Sequence, residues 1–427
     1  MKENLLANIF ISVIAGICTG LVSGAACVFF CYVTTQADLA RQGQPWLLWL
    51  LPLAGLIVVF LYDELFQAKP MGTGSIFLLV RSNRAMPAAL APLIFISTCL
   101  AYLTGGSVGR AGPALQIGAG TASILSGLLP EKACITISEH MNSAIYARLL
   151  MSCGLACGFT AILNAPLAGA LFGVEVLALS MRRWVLLIPT LIASLITWGI
   201  AHLFHVPYTD LHGAIAQGIG SFDGGVFWRV CIIALLTTLT ARLYCKSRDL
   251  ISDGFLALTK NKYLRVIIGT GLVILITKLL GTTIYNGIGF GTVADMLGSG
   301  HDALDGNLSA LGFFWKLLLT LLTLCCGIRG GEIAPNIFIG AAFGYVCGAL
   351  IGLDPCLGAA CGIVGNLSSV TNCTLSLFVF GLEALAFGPA TVIYFAATVL
   401  ITHFLSGRCC LYPQQPTKGI LFKPDLP

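Results

Sequence analysis

Residues 105–120 read GGSVGRAGPALQIGAG. Six glycines and a proline surround a single arginine in a chain that is otherwise oily. A helix interior does not select these residues, because glycine weakens it and proline breaks it. A helix start does. Proline's missing N–H costs nothing in the first turn, and glycine lets the backbone turn sharply and lets a ligand come close. The stretch therefore predicts a helix entered through bare backbone, with unpaired N–H groups at its tip.

The rest of the chain says where that helix lies. Of 427 residues, 57% are hydrophobic and only 10% are charged, against about 25% charged in soluble domains. Mean hydropathy is +0.92. The deficit of charge runs along the whole length, so the chain reads as an all-α polytopic membrane protein. Trp184–Phe204, Pro355–Leu382 and Ala384–Gly407 contain long apolar runs of the length that spans a bilayer. The opening MKENLLANIFISVIAGICTGLVSGAACVFF continues past any cleavage site and reads as a first membrane helix rather than a signal peptide. A net charge of +5 gives no footing for nucleic acid. The basic run KNKYLR at Lys260–Arg265 is expected in a cytoplasmic loop. The 17 cysteines sit mostly in apolar segments and read as small core residues. No zinc spacing and no HExxH is present, so no metal site is expected.

The opening stretch has a partner. Gly109–Ala119 (GRAGPALQIGA) and Gly331–Ala341 (GEIAPNIFIGA) both fit G-x-x-x-P-x-x-x-I-G-A, 222 residues apart. Asn164–Glu175 (NAPLAGALFGVE) and Asn372–Glu383 (NCTLSLFVFGLE) share Asn, Leu, Phe, Gly and Glu at an offset of 208. Two pairs in the same order imply two related halves, about 1–215 and 216–427. Membrane transporters built this way bind substrate where the repeats meet. The tip of a helix that begins inside the bilayer is electropositive and binds anions. Irregular backbone at that depth is tolerated only when buried or lining a cavity. Two such tips, one per half, would converge on one anion. The alternative is a small-residue face for helix packing. A third glycine turn, MGTGSI at Met71–Ile76, could present the Thr73 hydroxyl.

These residues carry a resemblance. GGSVGRAGPALQIGAG resembles the GREGP region of the CLC family of chloride channels and proton-coupled chloride antiporters. GGEIAPNIFIGAAFG is similar to that family's second filter motif. NAPLAGALFGVE resembles the helix that follows the first, and SGRCCLY (Ser406–Tyr412) resembles the segment with the filter tyrosine. GTGSI (Gly72–Ile76) is a looser match to the family's first motif, GSGIP, and the matches run in order from about residue 72 to 412. The resemblance implies an inverted repeat of tilted and partially spanning helices, and a homodimer whose interface includes the helices matching Asn164–Leu179 and Thr374–Phe387. It implies chloride or another small anion as the partner and no cofactor beyond bound chloride. A prokaryotic inner membrane is expected from the lack of an appended soluble domain.

The resemblance also assigns roles. Backbone N–H groups at Arg110, Ala111 and Gly112 would form an outer anion site, with Gly109 beside them among the anion-binding residues. Those at Glu332, Ile333 and Ala334 would contribute to a central one, completed by the Thr73 and Tyr412 hydroxyls. Tyr412 could instead belong to an interfacial belt. Arg110 would attract anions by its charge or satisfy nearby carbonyls. Glu175 and Glu383 are expected to bond backbone N–H groups.

Departures from the family pattern set the mechanism. Its external gating glutamate is Ala111 here, and its internal proton-transfer glutamate is Val176. Proton transfer needs groups that ionise, so the expectation is uncoupled, passive chloride conduction. Glu332 is similar to the GEVTP-like motif of the fluoride/proton antiporter branch. Arg329 is its candidate partner, and a titrating Glu332 would support proton-coupled chloride or fluoride exchange instead. That branch carries methionine where Thr73 stands, and the hydroxyl favours chloride. An enzyme is not expected: no paired carboxylates and no nucleophile elbow occur.

Overall fold

The computed structural model describes residues 2–67, 71–82, 84, 86–128, 143–177, 186–208, 211, 221–298, 310–385, 388–407 and 410–412. Among them are sixteen α-helices and no named strand. In the first half these are α1 (Lys2–Gly43), α2 (Leu51–Phe60), α3 (Thr73–Arg81), α4 (Leu90–Leu103), α5 (Ala111–Leu128), α6 (Ser143–Leu163), α7 (Pro166–Glu175) and α8 (Leu187–Leu203). The second half runs α9 (Gly224–Leu258), α10 (Lys262–Leu280), α11 (Phe290–Gly298), α12 (Gly312–Cys325), α13 (Ile333–Leu350), α14 (Pro355–Thr371), α15 (Thr374–Ala384) and α16 (Pro389–Ser406). The expected boundary at residue 215 lies outside the described residues. So does the tail beyond Tyr412.

Local chemistry sets the helix ends. Asp223 caps α9 by accepting from Gly225 N, and Asp354 caps α14 by accepting from Cys356 N, with Pro355 in the first turn. Asn261 accepts from Tyr263 N and Leu264 N to start α10. The basic run is therefore only partly loop, since Lys262 and Arg265 already belong to the first turns of α10. The long apolar run Pro355–Leu382 is broken at Asn372, whose φ of 53° is left-handed. Asn164 has the same φ between α6 and α7. Asparagine visits this region more readily than most residues, so each half turns at the same place.

Seven helical segments among the described residues are long and apolar enough to cross a membrane. Helices α3, α7 and α15 have 9, 10 and 11 residues, well short of the roughly 20 that span a bilayer. Partial spans are therefore part of the fold. The apolar windows of α6 and α13 are 83% and 78% buried, while those of α9 and α10 are 39% and 33% buried. The former make the protein's interior, and the latter turn Leu235, Leu239, Leu272 and Leu275 outward, as a lipid-facing shell does.

The repeat is built as a two-fold. Glu175, at the end of α7, accepts from Leu375 N (3.0 Å) and Ser376 N (2.7 Å) at the start of α15. Glu383, in the last turn of α15, accepts from Leu167 N (3.0 Å) and Ala168 N (2.8 Å) at the start of α7. Each carboxylate meets the electropositive end of the other helix. The two helices are antiparallel and exchange the same contact at equivalent positions, which requires a two-fold axis across them. For helices directed through a bilayer, that axis lies in the membrane plane, the arrangement of an inverted repeat. The expected role of both glutamates as backbone acceptors is what the geometry shows.

Small-residue packing recurs with the same symmetry. A Cβ on Gly118 of α5 would lie 2.0 Å from Gly154 O of α6, and one on Gly340 of α13 would lie 2.4 Å from Gly362 O of α14. Only glycine permits these approaches. The motif's glycines thus divide in two, with Gly118 and Gly340 packing helices and those before Pro113 and Pro335 shaping the helix tips.

Candidate functional site

The N-terminal tips of α5 and α13 meet at the two-fold. Gly109 N donates to Gly331 O and Gly331 N donates to Gly109 O, both at 2.7 Å. These are repeat-equivalent residues. A Cβ on Gly331 would lie 2.7 Å from Gly112 N, and one on Gly109 would lie 2.7 Å from the Pro335 Cδ. The first turn-closing bonds are Ala114 N to Arg110 O (2.9 Å) and Asn336 N to Glu332 O (3.2 Å). The amides of Ala111, Gly112, Ile333 and Ala334 therefore have no acceptor within their own helices. Gly109 is different. Its amide is committed to Gly331 and is not available to an anion, contrary to the expectation for it.

Beside this crossing lies a cavity of about 440 Å³. Thr73, Glu332 and Tyr412 are brought together in its wall, as expected, with Met71, Gly72 and Gln116. Gly109, Arg110, Ala111, Gly112, Ile333 and Ala334 do not line it. Ala111 and Ala334 are 0% exposed and Ile333 is 1% exposed. The crossing seals each tip against the other, so the site expected at residues 110–112 stands behind the cavity wall and not in it.

Thr73 begins α3, and its Oγ1 accepts from Gln116 Nε2 at 3.3 Å. Tyr412 is 3% exposed and packs edge-on against Phe77, with ring centroids 4.8 Å apart. Leu411 N donates to Val370 O at 2.7 Å and ties this segment to the end of α14. The interfacial-belt reading of Tyr412 is thereby set aside.

Of the expectations for charged residues, that for Arg110 resolves to the second of its two alternatives and that for Arg329 is corrected. Arg110 is buried, and its Nη1 donates to Thr35 Oγ1 (2.5 Å) and Cys31 O (3.4 Å) on α1. Its charge is spent inside the protein and does not face the cavity. Glu332 does not pair with Arg329. Its Oε1 accepts from the Tyr244 hydroxyl at 3.3 Å, and its Oε2 lies 3.7 Å from Arg248 Nη1. Both partners come from α9, one turn apart. Arg329 instead lies over the Tyr62 ring, 5.8 Å from its centroid, a cation–π distance.

The cavity wall carries Arg248, Lys262, Arg265 and Arg329 against Asp63, Asp249 and Glu332. Lys262 and Asp63 pair at 2.7 Å. The excess of positive charge suits an anion. Val176, at the end of α7, is 0% exposed. Cys325 and Cys326 belong to or pack against the apolar core and also reach the wall.

Gln116 and Arg248 were not singled out from the sequence. Gln116 sits in the second turn of a motif whose repeat mate, Phe338, is apolar, so the repeat gives no sign of it. Arg248 lies in CKSRDL, which reads as the polar end of a long helix. The available signal was Tyr244 one turn earlier, giving two hydrogen-bond donors on one face.

Residues 54–407 match the family model described as voltage gated chloride channel. The chain belongs to the voltage gated chloride channel family. It is 26% identical over 411 residues to the "Chloride/fluoride channel protein" of Pseudomonas syringae pv. tomato, covering 92% of this chain and 84% of that one. Among solved structures it is similar to a CLC-type fluoride/proton antiporter, with TM-score 0.82, 25% identity, and coverage of 96% and 98%. A slow cyanobacterial Cl⁻/H⁺ antiporter shares the fold at TM-score 0.68 and 16% identity, with 95% and 94% covered. The chain is an integral membrane protein of a family of anion channels and transporters, built as that family's inverted repeat.

Proposed function

We propose that this protein conducts a small halide, chloride by preference, without coupling to protons. The carrying observation is Ala111. Where the family's gating carboxylate would stand, a methyl group is locked at the crossing of the two tips, 0% exposed. It can neither compete with an anion nor carry a proton. Val176 at the inner end is likewise apolar. The halide is held in the cavity by the Thr73 and Tyr412 hydroxyls, with Gln116 joining them. The electropositive ends of α5 and α13 supply the field behind the wall. The amides of 111–112 and 333–334 act through that field, or become direct donors when the tips separate.

Reconstituted protein, given opposed chloride and pH gradients, should pass chloride down its gradient with no proton movement. Uphill proton transport driven by chloride or fluoride would overturn this reading.

Two observations favour a second reading. Glu332 lines the cavity, and the solved structure of TM-score 0.82 is that of a fluoride/proton antiporter. In that case Glu332 carries the proton and fluoride is the substrate. The same assay, run with fluoride, separates the two. Further parts of the proposal are a homodimer joined through the outer face of α7 and α15, where Leu167 and Leu375 are exposed, and residence in a prokaryotic inner membrane. Cross-linking of a Leu167→Cys variant in the native membrane tests the dimer.

A further inference from the structure

We infer that Arg248 is a positioning residue that holds the two walls of the halide site together and keeps the Glu332 carboxylate from repelling the halide. The inference rests on the cavity being the conduction path.

Glu332 and Tyr412 come from distant parts of the chain, yet one side chain reaches both. Arg248 Nη1 donates to Leu411 O at 2.9 Å, next to Tyr412, and lies 3.7 Å from Glu332 Oε2. Its Nε and Nη2 each donate to Asp249 Oδ1 at 3.3 Å. Its own carbonyl accepts from Cys325 Sγ at 3.7 Å, at the end of α12. The guanidinium fork serves several acceptors at once, which a lysine ammonium cannot do with the same geometry. Around Glu332, α9 supplies Tyr244, Arg248 and Asp249, α12 supplies Cys325, and the C-terminal segment supplies Tyr412. Arg329 precedes Glu332 in its own loop, and α10 supplies Lys262 and Arg265 across the cavity. Of these cations, Arg248 is the one within ion-pair distance of the carboxylate.

A carboxylate beside an anion path repels the anion unless it is paired or protonated. Without Arg248, the protonation of Glu332 decides whether a bare negative charge faces the halide. Flux then acquires a dependence on pH that the paired site does not have, slow when Glu332 is ionised and recovering as it protonates. Loss of the Leu411 contact also frees the segment that carries Tyr412. That part of the effect does not depend on pH, so the two contributions can be told apart.

The test is halide efflux from liposomes between pH 5 and pH 8 for the parent chain, R248Q, R248K, E332Q and R248Q/E332Q. R248Q should be slower at pH 8 by at least about tenfold, the scale of one like charge close to an ion, and should recover towards pH 5. R248K should remove the pH dependence, by returning the charge, while keeping the pH-independent part of the loss that comes with the missing fork. R248Q/E332Q should lose the pH dependence and be faster at pH 8 than R248Q, which also shows that the Arg248 substitution folds. An R248Q profile that overlays the parent's, or a double variant as slow and as pH-dependent as R248Q, would overturn the inference while leaving conduction intact. A parent that moves no halide would overturn the conduction reading itself and this inference with it.

Discussion

The two helix tips are the same object folded twice, and they differ in what they do with their charge. Arg110 and Glu332 are repeat mates, 222 residues apart, and each follows the glycine that pairs across the two-fold. Arg110 turns away into α1, where Thr35 and Cys31 take its hydrogen bonds. Glu332 stays at the cavity wall, held by Tyr244 and Arg248 from α9. Since α1 and α9 open their respective halves, each tip is answered by the first helix of its own repeat. The backbone is symmetric and the electrostatics are not. Both tips close on each other at the crossing, but the charge of one is buried in the protein while the carboxylate of the other lines the cavity.

This contrast can be broken at several depths. The largest effect is expected where the symmetry is backbone against backbone. Gly118→Leu, or its mate Gly340→Leu, would drive a side chain into a carbonyl of the neighbouring helix. The cost should exceed about 3 kcal/mol, beyond ordinary overpacking, and size-exclusion chromatography in detergent should show little folded protein from either variant.

Next come the reciprocal caps. Glu175 is 6% exposed and also accepts from the Ser376 hydroxyl, whereas Glu383 is half-buried. Glu175→Ala should therefore destabilise by about 2 kcal/mol and Glu383→Ala by about 1 kcal/mol. Thermal unfolding in detergent reads the difference, and equal losses would mean that the caps are symmetric in energy as well as in geometry.

A third substitution reopens the sealed tip. Ala111→Glu places a carboxylate where none can now act. It should slow halide flux by about tenfold at neutral pH, the scale of one competing charge, with recovery in acid. Proton coupling should not follow, because Val176 remains apolar. The smallest effect is expected at the inner wall, where Thr73→Val removes one hydroxyl and leaves Gln116 without its acceptor. A loss of about fivefold in apparent halide affinity corresponds to about 1 kcal/mol for one hydrogen bond, and a concentration series of chloride flux measures it.

Much of the architecture was legible in the residues because it follows from short-range chemistry. Glycine and proline before an apolar run mark a helix start and an apolar composition marks a membrane, whereas the turn at Asn372 did not show within the apolar run Pro355–Leu382. The candidate site was legible only in part. Thr73, Glu332 and Tyr412 do share one cavity, but Gly109 is engaged with its mate, and Arg110 points elsewhere. The direction of a long side chain depends on which neighbour offers a partner, and that neighbour comes from a remote helix.

By itself the sequence determined that this is an integral membrane protein of two related halves, with two glycine–proline helix starts and no carboxylate at position 111. These depend on composition, on periodicity and on the identity of single residues. Only the tertiary structure decided that the halves are related by a two-fold across antiparallel helices, that Arg248 rather than Arg329 answers Glu332, and that Arg110 is buried away from the cavity while Glu332 lines it. Those facts depend on reciprocal contacts between residues some 80 to 220 positions apart, where burial forces each polar group to find a partner and the packing decides which one it finds.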